Sequence, residues 1–442
     1  MSAKAKERGL SSPQPQANGG LENPPSAEEW SSQRIGDLVV RTQQRNPSAT
    51  PQKRFTYIDV SAVSNTSFRI TEPTDILGSE APSRARKVVH AGDVLFATVR
   101  PTLKRVALVP RNLHDQIAST GYIVLRSQPE KLDPGYLYFC LLTDGFTAVM
   151  RELERGASYP AVRDSDVFNE VIPVPSLAEQ RKIAGVLGLV KRALEQQERL
   201  IAMTTELKKA LLHQLFTQGL RGEPQKQTEI GPVPQSWEVV ALQDVCSLRS
   251  GGTPSKQKPE FWLGSIPWAS PKDMKKPRLS DVIDHISEAA LEDGSSLAPA
   301  GAVFVVIRGM ILAKDVPVAL AEVPMAFNQD MKAIIPGSRI HPSFLLYALV
   351  AFKQRLFEKV GRSAHGTMTL MSSEIAQFAI PLPDKATQQE IAAGIETAER
   401  KHGQHQRKHA ALTALFRTLL HQLMTAQLRV HDLSLPELAA RA

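Results

Sequence analysis

Between positions 183 and 215, apolar residues recur mostly three or four apart: Ile183, Leu187, Val190, Leu194, Ile201, Leu207, Leu211 and Leu215. That spacing predicts one stripe of a long α-helix. A second run, Ile391, Ile395, Ala398, Leu412, Leu415, Leu419 and Leu423, predicts another, with a weaker stripe because Glu399–His409 is polar. A Pro-x-Pro at 173–175 or 381–383 precedes each helix. Ser176 and Asp384 stand where a side chain can accept from the first free N–H groups. No proline interrupts either run, and Gly219 marks a stop for the first. Roughly 40 residues at ~1.5 Å each predict rods of about 60 Å. Two such rods bury their stripes most easily against each other as an antiparallel coiled coil, the alternative being two independent helices in separate domains.

Elsewhere the pattern changes to short β-branched and aromatic runs bounded by Gly, Pro and Asn. FTYIDVSAV (55–63), VLFATV (94–99) and GYIVLR (121–126) predict strands in one part; IPWAS (266–270), VFVVI (303–307) and MKAII (331–335) predict them in another.

These two parts belong to a repeat. Residues 172–221 align with 380–429 without a gap, about 20 of 50 positions being identical. The identities gather at an Ile-x-x-Pro opening with Gln180/Gln388 and at a Leu-Leu-His-Gln-Leu close, 211–215 and 419–423. The segments before the helices correspond more loosely. Trp30, Ile35 and Asp37 parallel Trp237, Leu242 and Asp244; GDVLFATVR (92–100) parallels GAVFVVIRG (301–309), and YLYFCLL (136–142) parallels FLLYALV (344–350).

The expected fold is therefore α/β (α+β): two similar domains and two long helices, related by an internal pseudo-two-fold repeat. The expected divisions are a disordered tail at 1–25, a domain at 26–175, a helix at 176–221 and a linker at 222–234. A second domain at 235–383, a second helix at 384–429 and a tail at 430–442 complete the chain.

Composition narrows the function. Hydrophobic residues make up 42% and charged ones 22%, as in ordinary soluble proteins. No apolar run approaches the ~18 residues of a membrane span, and the polar start carries no secretory signal, so a cytoplasmic location is expected. Cys140 and Cys246, the only cysteines, cannot form a disulfide framework or zinc site and are expected to be buried thiols. A net charge of +8 suits a polyanionic partner. Enzyme motifs are missing: the glycine run at 251–256 lacks phosphate-loop spacing, and Asn23-Pro24-Pro25-Ser26 lacks the aromatic residue and cofactor loop of an adenine methyltransferase. No catalytic residue, metal ligand or cofactor is expected in this chain.

The ordered set of phrases resembles the specificity subunits of type I restriction–modification enzymes. IPVP or IPLP followed by A-x-Q-x-x-I opens each helix, and LLHQL-x-T closes it. EIGPVPQSWEVVALQDV (229–245) starts the second half. GGTPSKQKPEFW (251–262), IPWASPKDM (266–274), GDVLFATVRPTLKRVALV (92–109) and STGYIVLRS (119–127) match the family's target-recognition domains. The resemblance implies a non-catalytic subunit that reads a bipartite, asymmetric site on double-stranded DNA, one half-site per domain. It implies two methyltransferase subunits on the helices, with S-adenosylmethionine as their cofactor, and an endonuclease/translocase subunit. The alternatives are a coiled-coil scaffold binding only protein, and a recognition subunit of a related non-type-I or methylation-only system.

Backbone phosphates call for Lys and Arg, and base edges for Arg, Lys, Asn, Gln, Ser or Thr. Candidates in the first domain are Arg84, Arg86, Lys87, Arg100, Lys104, Arg105 and Arg163, with Ser158 and Tyr159 on the loop GASYPAV. In the second they are Lys256, Lys258, Lys272, Lys275, Lys276, Arg278 and Arg362, with Thr367. Gln180, Gln388, His213 and His421, at matching repeat positions, are candidate partner contacts.

Overall fold

The computed structural model describes residues 30–362 and 366–433; the tail expected at 1–25 lies outside them. The chain forms two compact units. Among the described residues, one comprises those up to Gln197 with those from Lys408 onward, the other Glu198–Arg407. The long helices Leu177–Gln218 and Lys385–Met424 each contribute one half to each unit.

In the first unit, Ser31–Arg34 pairs antiparallel with Val171–Val174. One four-stranded sheet has the order Val39–Val40, Tyr122–Ser127, Val94–Ala97, Val106–Leu108. The other has the order Thr74–Leu77, Arg54–Ile58, Gln116–Ser119, Ala85–Val89, with a parallel pair at its centre. Val94–Ala97 is buried at every position, which explains its unbroken apolar run. The helix Pro134–Leu142 is likewise apolar all round because it lies inside the core. Burying a side chain such as Leu137 contributes roughly 1.5–3 kcal/mol. Ile183, Val186, Leu187 and Val190 of the first long helix share this core with Phe416, Leu420 and Leu423 of the second.

The second unit repeats the plan. Glu238–Ala241 pairs with Ala379–Leu382. A five-stranded sheet runs Cys246–Ser250, Met331–Pro336, Val303–Val306, Val318–Ala321, Arg278–Leu279, the last strand being an addition. The four-stranded sheet runs Asp284–Ile286, Ile266–Ala269, Met325–Phe327, Ser296–Ala298, again with its parallel pair at the centre. Leu212, Leu215 and Phe216 pack with Ile391 and Ile395. Thr204 meets His402, and Lys208 meets Glu399, rising numbers against falling ones, so the helices are antiparallel.

Each long helix begins as its sequence predicts. The Ser176 hydroxyl accepts from the Glu179 N–H at 3.3 Å, and the Asp384 carboxylate accepts from Ala386 and Thr387 N–H at 3.0 Å. Two details differ from expectation. Leu207 and Leu415, counted in the apolar stripes, are 57% and 45% exposed at the same repeat position. They fall off the row that faces the partner helix, because a 3.6-residue turn drifts from a strict spacing of three and four. The segment 222–234, read as a linker, contains a hairpin of Gln225–Thr228 with Gly231–Pro234, held by Ile230 and Val233 against Ala379.

Candidate nucleic-acid interface

In the first domain, the chain leaving Val94–Ala97 turns at Arg100, Pro101 and Leu103 and meets the loop that carries Ser158 and Tyr159. Arg100 N–H donates to Pro160 O at 2.7 Å, and Val162 N–H donates to Thr98 O at 2.9 Å. The Arg100 guanidinium lies 5.7 Å from the centre of the Tyr159 ring. Tyr159 is 75% exposed. The tyrosine loop is closed by reciprocal backbone bonds between Arg155 and Ala161, 2.9 and 3.0 Å, and by the Arg155–Asp166 ion pair at 2.5 Å. That guanidinium holds the Asp166 carboxyl below its ordinary range. Gly156 has φ +97°, and a Cβ there would press on Tyr159 O at 3.1 Å, so the tight turn requires glycine.

Four first-domain candidates are engaged elsewhere. Arg105 donates to the carbonyls of Val60, Ser61 and Val63 and pins that segment. Lys104 reaches Leu142 O at 3.2 Å and Asp144 at 2.6 Å. Lys87 pairs with Asp164 at 3.0 Å and is largely covered, while half-buried Arg86 donates to Ala85 O at 2.8 Å. These four side chains are held by partners within the domain, Lys87 and Lys104 by carboxylates and Arg86 and Arg105 by backbone carbonyls, and are less free to reach a phosphate than the sequence suggests. Arg84, Arg100, Ser158 and Arg163 are exposed.

In the second domain, the chain leaving Val303–Val306 turns at Arg308, Gly309 and Met310 beside the ladder of Gly361–Arg362 with Met368–Thr369. Arg362 is exposed, and Thr367 is half-buried next to that ladder. Arg278 is another correction. It donates to Ser343 at 2.9 Å and Glu396 at 2.5 Å, lies near Glu322 and stacks by Tyr347, so it ties a sheet edge to the helices. Lys258 pairs with Asp293 at 3.1 Å over the Phe261 ring. Lys256 and Lys272 line an open pocket of about 580 Å³ with Trp262, Trp268, Ser270, Asp284 and Asn328. Lys272 pairs there with Asp284 at 2.6 Å. Lys275 and Lys276 are exposed on the turn between.

Sequence reasoning missed the two tryptophans of this pocket and the exposed group Arg308, Met310, Ile311 and Met371. The parallel between GDVLFATVR and GAVFVVIRG pointed at Arg308, but exposed methionines carry no sequence signal of their own.

Gln180 and Gln388 are completely buried, which overturns their reading as partner contacts. The Gln180 side chain accepts from Asp133 N–H at 2.8 Å and donates to Lys131 O and Pro175 O at 3.0 and 2.9 Å. Gln388 does the same with His341 N–H, Arg339 O and Pro383 O at 2.7, 3.1 and 2.8 Å. Each therefore ties the start of a long helix to the start of a core helix. His213 and His421 are exposed. Among the described residues, no three His, Cys, Asp or Glu side chains are grouped to hold a metal ion, and no helix is long and apolar enough to cross a membrane.

The family model described as the type I restriction modification DNA specificity domain matches the chain twice, over residues 27–203 and 234–414. The chain is 31% identical over 229 residues to the type I restriction enzyme EcoR124I/EcoR124II specificity subunit of Escherichia coli, covering 51% of this chain and 55% of that relative. It thus spans about half that relative's length. A solved structure, described as the structural basis underlying complex assembly and conformational transition of the type I R-M system, matches with a TM-score of 0.54 and 28% identity. The match covers 90% of this chain and 98% of that one. The S subunit of a type I restriction–modification system from M. genitalium has the same fold, with a TM-score of 0.58 at 15% identity over 89% of this chain and 96% of that one. With two family domains covering most of its length, each closing on one half of a paired-helix repeat, the chain belongs to the type I restriction–modification DNA specificity family.

Proposed function

We propose that this chain is the non-catalytic subunit that gives a type I restriction–modification complex its DNA sequence specificity. Each domain reads one half of a bipartite, asymmetric site on duplex DNA, and the length of the paired helices sets the unread spacer. Dimeric DNA readers use two-fold symmetry to meet two half-sites. A duplicated chain supplies a pseudo-two-fold pair whose halves can differ, so its site need not be a palindrome.

The observation that carries this reading is the repeat itself: the same order of strands in both sheets of each domain, with one strand added in the second, and exposed residues after the matching strand each time, Arg100 following Val94–Ala97 and Arg308 and Met310 following Val303–Val306. Exposed Arg84, Arg100, Arg163, Lys256, Lys275, Lys276, Arg308 and Arg362 supply charge for the backbone. Two methyltransferase subunits dock on the helices, where Leu207 and Leu415 are exposed at one repeat position and His213 and His421 at another. Those subunits hold S-adenosylmethionine, a restriction subunit completes the cutting complex, and the assembly works in the cytoplasm.

The test is a transplant. Replacing residues 27–171 with the first domain of another family member should change one half-site, read by methylome mapping, and leave the other intact. Concurrent change of both half-sites refutes the assignment. A protein-only scaffold would show no steep loss of DNA affinity with salt.

A further inference from the structure

We propose that Arg100, propped by Tyr159, reads a guanine edge in the half-site of the first domain, and that the second domain reads its half-site without such a fork. The inference rests on the DNA-reading function proposed above. It starts from a backbone mismatch between the two halves. The residue that follows the bridge to the neighbouring loop is Arg100 in one domain and Gly309 in the other. Arg100 N–H donates to Pro160 O at 2.7 Å; Gly309 N–H donates to Met368 O at 3.0 Å. The preceding residues form matching bridges, Val99 with Ala161 and Arg308 with Thr369.

Both residues have positive φ, 50° for Arg100 and 130° for Gly309. Glycine meets such a requirement without cost, whereas a residue with a Cβ is strained there. The first domain thus places a cationic side chain where the backbone alone would favour none. Strain of this kind collects at sites of function.

The side chain itself is unusual among its neighbours. Lys87 and Lys104 are paired with carboxylates, and Arg105 donates to three backbone carbonyls. Among the described residues, Arg100 makes no side-chain hydrogen bond or ion pair, and its one contact of this type is the Tyr159 ring at 5.7 Å. That ring is three-quarters exposed on a loop braced by Gly156, the Arg155–Ala161 bonds and the Arg155–Asp166 pair. A phosphate needs only a mobile charge. A guanidinium steered by a neighbouring aromatic ring can instead present two parallel donors, the pattern that O6 and N7 of guanine accept in the major groove.

The experiment is selection of bound duplexes from a randomised library by the full chain assembled with its methyltransferase partners, at fixed salt. Wild type should select two half-sites. R100A and R100K should lose about ten- to hundred-fold of the preference for guanine at one position of the first half-site, with the second half-site unchanged. R100G should lose the same preference while its unfolding midpoint stays level or rises, which separates reading from folding. Y159F, which keeps the ring, should select as wild type does, and Y159A should weaken the guanine preference. Unchanged selection by R100A overturns the inference alone. So does a uniform fall in affinity across all sequences with a salt slope shallower by about one, since that marks a phosphate contact. If wild type selects no motif, the proposed function falls and this inference with it.

Discussion

In the first domain the strand Val94–Ala97 leads into Arg100 and an exposed tyrosine; in the second, Val303–Val306 leads into Gly309 and exposed Met310. At buried positions the two halves agree closely. Gln180 and Gln388 make the same three hydrogen bonds to the same backbone positions. Duplication has therefore kept the groups that satisfy buried backbone and released those that point outward. A buried amide left without a partner costs stability in either half, whereas an exposed side chain answers only to what it touches outside.

The comparison can be broken at its shared point. Q180A and Q388A should each destabilise the chain by about 3 kcal/mol, because each leaves an N–H and two carbonyls unpaired and opens a cavity. Equal shifts in chemical denaturation are expected; a change in partner binding with no change in stability would restore the discarded interface reading.

A smaller effect sharpens the contrast at a place where the repeat reverses charge. Glu399 accepts from Lys208 and from the Tyr347 hydroxyl at 2.8 Å. Its counterpart Lys191 donates to Ser67 O and Glu195 at 2.8 and 3.0 Å. Imposing one half's residue on the other should fail both ways. E399K sets two ammonium groups together for about 2 kcal/mol, and K191E opposes Glu195 one turn on and loses the bond to Ser67 O for about 1 kcal/mol. Denaturation midpoints check both.

The thiols offer a kinetic comparison. Burial pushes both up, Cys246 to about 12 and Cys140 further. At neutral pH neither should react quickly with an alkylating reagent in the native state. Half-buried Cys246 should react before fully enclosed Cys140, as followed by mass spectrometry.

The slightest effect is acidic. Arg155 depresses the Asp166 carboxyl below its ordinary 3.8. A depressed carboxylate contributes stability at neutral pH that is lost as pH falls through its folded value. The bracing of the tyrosine loop should thus outlast ordinary carboxylates on acidification. An NMR titration midpoint for Asp166 at or above 3.8 would contradict this.

Much of this molecule is local and therefore legible in its sequence. The stripe from Ile183 to Leu215, the caps Ser176 and Asp384, the β-branched strands and the repeat all follow from spacing and residue type alone. They specify two similar domains and two long helices. Tertiary structure decided which charged and polar groups remain available. Lys104 meets Asp144, 40 positions on, Arg278 meets Glu396 across 118, and Gln180 meets Asp133 across 47. Whether a cation faces solvent or a carboxylate depends on where distant backbone lies, and composition along the chain holds no record of that distance. The same reason left Arg100 one candidate among many until the fold set it in a left-handed turn beside Tyr159.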